Sequence, residues 1–182
     1  MGFGRWQHFP RNPTKRPCKQ FSFISRYTGG TFDRIASIEM FEAVCDANWP
    51  RHFQMIRDRL VSGDSAALQI ITIAEDPFEQ YRPSADFIQS YIFPGGMLPS
   101  VTILKDQSAQ AKLQFAGADM FGVSYAKTLR TWRDRFLAAW STIEPLGFDE
   151  RFRRMWEMYL AYCEGGFRTG AVNVGQFKLV RP

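Results

Sequence analysis

Phe32 to Val44, FDRIASIEMFEAV, is an apolar run that leads directly into two carboxylates. Phe32, Ile35, Ala36, Ile38, Met40 and Phe41 are punctuated by Asp33, Ser37, Glu39 and Glu42, and near-continuous apolar character of this kind suits a central parallel strand followed by a turn. In an open α/β sheet, ligands gather at the carboxyl ends of the strands, so the polar groups from Ser37 to Glu42 fall where chemistry is expected. Glu39 and Glu42 stand three residues apart. On a helix following Ile38 they share a face, with one able to enter a cleft while the other stays in water. From the residues alone, two solvated carboxylates at a helix start, favoured by the helix dipole, are the preferred account of the spacing.

Asn48 to Val61 reads as a helix with Pro50 in its first turn: Trp49, Phe53, Ile56 and Leu60 form one face and Arg51, Arg57, Asp58 and Arg59 the other. Ser62, Gly63 and Asp64 stop it. Ala66 to Ala74, AALQIITIA, is a second buried strand whose one strongly polar interior residue is Gln69. Strand, helix and strand joined by short loops make a βαβ unit with a right-handed crossover.

The formal charge of +5 is unevenly placed. Residues 1–30 carry Arg5, Arg11, Lys15, Arg16, Lys19 and Arg26 with no acid, so the rest of the chain is slightly acidic. This basic, proline-containing stretch holds no apolar period and is expected to be disordered, with residues 31–182 forming one folded domain. Nucleic-acid binding could rest only on that stretch and is not expected, because no binding motif accompanies it. Cys18, Cys45 and Cys163 are odd in number and widely spaced, which predicts free thiols, and with only His8 and His52 no metal centre is expected. No segment has the length of a membrane span, so a cytoplasmic location is expected.

Glu75 to Ser100 is irregular yet rich in apolar residues, including Phe78, Tyr81, Phe87, Ile88, Tyr91, Ile92, Phe93, Met97 and Leu98. Such a segment is a lid over a hydrophobic pocket or a loop closing the core. Short helix and strand pieces follow at Val101 to Lys105 and Lys112 to Ala116. Ser124 to Ile143 is a strongly periodic helix through Tyr125, Leu129, Trp132, Phe136, Trp140 and Ile143. Asp149 caps another helix, ended by Gly165 and Gly166, and Ala171 to Val180 is a closing strand.

FDRIASIEMFEAV, the strand with Gln69, YIFPGGMLPS at Tyr91 to Ser100, SYAKTLRTWRDRFLAAW at Ser124 to Trp140, and FRRMWEMYLAYCEGGFRTGAVNVGQFKLV together resemble the cyclopropane-fatty-acyl-phospholipid synthases. These are S-adenosylmethionine-dependent methyltransferases, and the resemblance runs from about Thr31 to Pro182. It implies an α/β fold: the C-terminal part of a Rossmann-like methyltransferase sheet with a helical insertion and its first strands missing. The implied reaction is methyl transfer to the cis double bond of an acyl chain, then loss of a proton from that methyl and ring closure, with a bound bicarbonate as base. The implied ion site comprises Glu42, Tyr125, Gln69 and the backbone at Ile38 and Ile71. The family's His falls on Gln69, whose amide can donate to an oxyanion but cannot titrate. Tyr91, Phe93, Pro94, Gly95, Gly96, Met97 and Leu98 are the implied acyl-binding residues. Without the resemblance, Tyr125 reads as a core residue and Gln69 as a satisfied structural amide.

The implied partners are unsaturated phospholipid acyl chains at the membrane surface, reached from the inner membrane face. Product type and oligomeric state stay open. The Gly-rich turn and the acidic strand end that serve the cofactor in this family have no counterpart in the sequence. The expectation is therefore a truncated product in which residues 1–30 are misassigned coding sequence and no residue is assigned to the cofactor. A non-catalytic remnant that holds acyl chains or a partner is the alternative.

Overall fold

The computed structural model of the protein describes residues 29–76, 78 and 86–182. The basic stretch 1–28 and Tyr81 lie outside these residues.

The βαβ unit is present: β1 (Phe32–Ile38), α1 (Trp49–Arg59) and β2 (Leu60–Ile73), with β1 and β2 parallel and Ile38 in register with Gln69. After β2 come a π-helical turn at Ile88–Ile92, α2 (Val101–Gln110), β3 (Gln114–Met120), α3 (Gly122–Ala138), α4 (Trp140–Ile143), α5 (Glu150–Thr169) and β4 (Val172–Val180). The sheet order is β1-β2-β4-β3, with β4 antiparallel to both its neighbours.

Helices cover both faces of the sheet. On one side, Leu60, Leu68, Ile70, Phe177 and Leu179 pack against Trp49, Phe53 and Ile56 of α1 and Leu104 of α2. On the other, Val174 packs with Ala126 and Leu129 of α3 and Leu160 and Phe167 of α5. Burial of these apolar side chains supplies the drive to stack the layers.

Several boundaries differ from the sequence reading. β1 is an edge strand among the described residues, with Ile38 70% exposed, because only β2 pairs with it; this agrees with a sheet whose first strands are missing, while a central position does not hold. No helix follows Ile38; Glu39 adopts a left-handed backbone (φ 49°) and a 3-10 turn spans Phe41–Ala43. Ser62, Gly63 and Asp64 do not stop α1, which already ends at Arg59, but form an irregularity inside β2, where Gly63 takes φ 86° and the register with β1 shifts. The Gly63 N–H donates to the Arg181 carbonyl at 2.7 Å, so the bulge is tied to the end of β4.

α5 starts where expected, with the Asp149 carboxylate accepting from the Phe152 N–H at 2.8 Å. It then runs through Gly165 and Gly166 and ends at Gly170, whose φ is 76°. A Cβ on Gly166 would stand 3.0 Å from a methyl of Val172, so that glycine serves close helix–strand approach rather than termination. Cys45 is disulfide-bonded, which corrects the expectation of a free thiol there; spacing in sequence does not report the short Cα separation a bridge requires. Cys163 is free.

Candidate active site

β2 extends past the end of β1, and three groups complete its exposed edge in turn. The Gln69 carbonyl accepts from the Glu39 N–H at 2.8 Å, the Ile71 N–H donates to Glu42 Oε1 at 2.6 Å, and the Ile73 N–H donates to the Pro99 carbonyl at 3.0 Å. Backbone groups buried in a sheet demand partners. The end of β1, the turn after it and the YIFPGGMLPS segment are thereby fastened beside one another.

Glu39 is the centre of the side-chain network. Its Oε1 accepts from Gln69 Nε2 at 2.8 Å and its Oε2 accepts from the Tyr125 hydroxyl at 2.9 Å. Gln69 is itself oriented by Gln176 of β4, whose Nε2 donates to Gln69 Oε1 at 3.3 Å. The sequence reading named Glu39 as one of a carboxylate pair but did not place it in the site. Its spacing from Glu42 was the available signal; the left-handed backbone that turns it inward has no sequence signature in a glutamate.

Glu42 lies alongside. Its second oxygen, Oε2, is buried and has no hydrogen-bond partner. Burial pushes the carboxyl up to about 7, opposed by the Ile71 N–H and reinforced by the charge of Glu39. The Tyr125 phenol is raised well above its ordinary value, first by burial and then by its bond to Glu39. Tyr159 is pushed up to about 12, again chiefly by burial, with Cys163 and Glu39 contributing.

An aromatic face adjoins these acids. Phe93 meets Tyr159 at 6.2 Å between centroids, Tyr159 meets Trp156 at 5.1 Å, and Tyr125 meets Phe167 at 5.0 Å. The Glu42 carbonyl accepts from the Met97 N–H at 2.9 Å, and Gln89 Nε2 donates to the Gly96 carbonyl at 2.9 Å, which holds the segment in place. A Cβ on Gly96 would lie 3.1 Å from the Phe93 carbonyl and 3.4 Å from that of Glu42, so a side chain there would crowd the turn.

Of the residues assigned from sequence, Glu42, Gln69, Ile71 and Tyr125 come together through these bonds. Ile38, assigned through its backbone, stands in register with Gln69 of β2, and its side chain is exposed. In the acyl set, Tyr91 and Phe93 are 61% and 57% exposed, Pro94 is exposed, and Gly95, Gly96 and Leu98 are half-buried. Met97 is 2% exposed and belongs to the main core.

The residues at hand do not fit either expected small molecule. Among the described residues no Gly-rich turn stands near the strand ends to accept S-adenosylmethionine, and the donors assigned to bicarbonate, Tyr125 and Gln69, are already engaged by Glu39. Among the described residues no cluster of His, Cys, Asp and Glu could hold a metal, and no helix is long and apolar enough to cross a membrane.

A parallel strand pair continued by an antiparallel one, layered by helices and carrying its polar network at the strands' carboxyl ends, is the C-terminal part of a Rossmann-like methyltransferase fold. A model of the mycolic acid cyclopropane synthetase family matches residues 21–177, and the chain belongs to that family. It is 42% identical over 157 residues to the tuberculostearic acid methyltransferase UfaA1 of Mycobacterium tuberculosis, covering 86% of this chain and 37% of that protein. It is 36% identical over 145 residues to the cyclopropane-fatty-acyl-phospholipid synthase of Escherichia coli, covering 80% of this chain and 36% of that enzyme. The crystal structure of mycolic acid cyclopropane synthase CmaA1 with SAH and CTAB superposes with a TM-score of 0.77 at 25% identity, over 85% of this chain and 57% of that one. The chain thus spans little more than a third of the length of these two sequence relatives.

Proposed function

We propose that this chain carries the acyl-facing part of an S-adenosylmethionine-dependent lipid methyltransferase, acting on a cis double bond of a phospholipid acyl chain at a membrane surface. The observation that carries the reading is the meeting of the Glu39 and Glu42 carboxyls with the aromatic face of Phe93, Tyr159 and Tyr125. Methylation of an alkene leaves a carbocation on the acyl chain. Such a cation needs water excluded, π-faces to lower its energy and a base to take a proton. Exposed Phe93 and Tyr91 offer apolar contact to a long chain, and the Glu39 carboxylate, whose charge reaches Tyr159, offers the acceptor. Membership of the cyclopropane synthetase family supports the same reaction class.

The second reading, an acyl-binding chain without catalysis, is favoured by the lack of a Gly-rich turn in the sequence. Calorimetric titration of the 182-residue chain with S-adenosylmethionine and, separately, with a cis-monounsaturated acyl amphiphile tests both. Acyl binding is expected, weakened roughly tenfold or more by Phe93→Ala through lost apolar contact. Micromolar binding of the methyl donor as well supports catalysis by this chain alone. Acyl binding without it supports the second reading, and binding of neither sinks both.

A further inference from the structure

The family resemblance assigns Tyr125 and Gln69 to a bound bicarbonate, but in the structure both donate to one side chain of the protein. Tyr125 reaches Glu39 Oε2 at 2.9 Å and Gln69 reaches Glu39 Oε1 at 2.8 Å. We propose that the Glu39 carboxylate replaces the exchangeable anion, acting as the chain's own proton acceptor at a site that takes no bicarbonate.

Three features support the assignment. Each carboxylate oxygen has its own donor, and Gln69 is oriented from behind by Gln176, so the group is held in one orientation as a preorganised base must be. The backbone at Glu39 has φ 49°, a left-handed conformation unfavourable for a non-glycine residue, yet a long charged side chain stands there. A glycine would satisfy the turn, so the glutamate is explained by what its carboxylate does. Finally, Glu42 has one oxygen buried without a partner and burial pushes its carboxyl up to about 7, so it is poorly placed to serve as the charged acceptor beside Glu39.

The inference rests on the lipid-methyltransferase reading for the identity of the acid. In the step proposed, a C–H bond of the methyl group on the cationic acyl chain breaks. Its electron pair stays on the acyl chain and closes a carbon–carbon bond, discharging the cation. The proton passes to the Glu39 carboxylate, which becomes neutral and later returns the proton to water.

The test is carbon-13 NMR of labelled bicarbonate titrated with the intact chain and with Glu39→Gly. Glycine suits the left-handed backbone at this position, so the variant is expected to keep the native circular dichroism spectrum. Wild type should show no saturable binding. Glu39→Gly, which frees the Tyr125 and Gln69 donors, should gain it, with a rise in apparent affinity of roughly tenfold or more, the worth of a good hydrogen bond. Saturable bicarbonate binding by the wild type overturns the proposal by itself, whatever the variant does. A folded Glu39→Gly chain that binds no better than wild type also overturns it, and should that variant fail to fold, Glu39→Asn, which tolerates the same backbone, is read by the same criterion. A chain that binds no acyl amphiphile yet gains bicarbonate on Glu39→Gly keeps the anion assignment and removes the lipid reading.

Discussion

The hydroxyl of Tyr125 on α3 donates to the carboxylate of Glu39 at the end of β1, joining positions 86 residues apart in sequence. This bond ties a helix on one face of the sheet to the strand end that carries the acids. Tyr125→Phe keeps the ring contacts with Phe167 and Trp132 and deletes only the donor. A hydrogen bond to a charged group contributes about 1.5–3 kcal/mol, and the half-buried position favours the lower end. Urea unfolding of the variant should show a loss of about 1.5 kcal/mol; an unchanged midpoint would mean that the bond contributes nothing to the fold.

Glu42 makes stability depend on pH in a direction unusual for a glutamate. The folded chain holds its proton up to about pH 7, against an ordinary value of 4.5, so between those values the folded state binds more protons than the unfolded one. The contribution is fully present below pH 4.5 and is lost as pH rises to about 7. Glu42→Gln can still accept from the Ile71 N–H and carries no such loss. Relative to wild type, its stability should rise between pH 5 and pH 8 by a few kcal/mol, on the order of 3 for a shift of this size. Denaturant titrations at the two pH values check it, and equal differences at both would remove Glu42 from its buried setting.

His52 acts in the opposite sense. Buried against Phe41 and Phe53, it is lowered from 6.5 to about 4, so the unfolded chain binds the proton first as pH falls. Its contribution is present above pH 6.5 and is lost as pH drops to about 4. Over the range both groups share, the two slopes offset, and the wild-type profile should be flatter than that of Glu42→Gln. In that variant a steep acid loss should emerge below pH 6.5. Proton NMR should show one histidine resonance that does not titrate until about pH 4; a buried histidine titrating at its usual value would contradict this account.

Much of the framework was legible because it follows from periodicity. The apolar stripes of α1, α3 and α5, the Asp149 cap and the alternation of β1 with β2 through a helix all come from local spacing, and all are found. The site was half legible. Glu42, Gln69 and Tyr125 entered through resemblance, whereas Glu39 was passed over because its role depends on a left-handed backbone that glutamate does not advertise. The errors at glycines have a common cause. Gly63 reads as a stop but makes a bulge, and Gly165 and Gly166 read as a stop but sit inside a helix, since a glycine's effect depends on what approaches it in space.

That dependence gives a paired test at two glycines. Gly122 begins α3, and its N–H donates to Asn173 Oδ1 of β4 at 3.0 Å, which sets the height of the helix that carries Tyr125. A Cβ there would collide with the Asn173 amide oxygen and press the Phe167 ring at 3.2 Å. Overpacking of this kind costs about 1–3 kcal/mol. Gly165, exposed within α5, has nothing within 4 Å of an added Cβ. There, alanine removes unfolded-chain freedom and favours the helix by about 0.5–1 kcal/mol. Thermal melts should therefore move in opposite directions, down for Gly122→Ala and up for Gly165→Ala. Gly122→Ala should also weaken the Tyr125 to Glu39 bond by shifting α3, so its loss and that of Tyr125→Phe should not add in the double variant. Strict additivity would mean that Gly122 supports the helix without positioning the phenol.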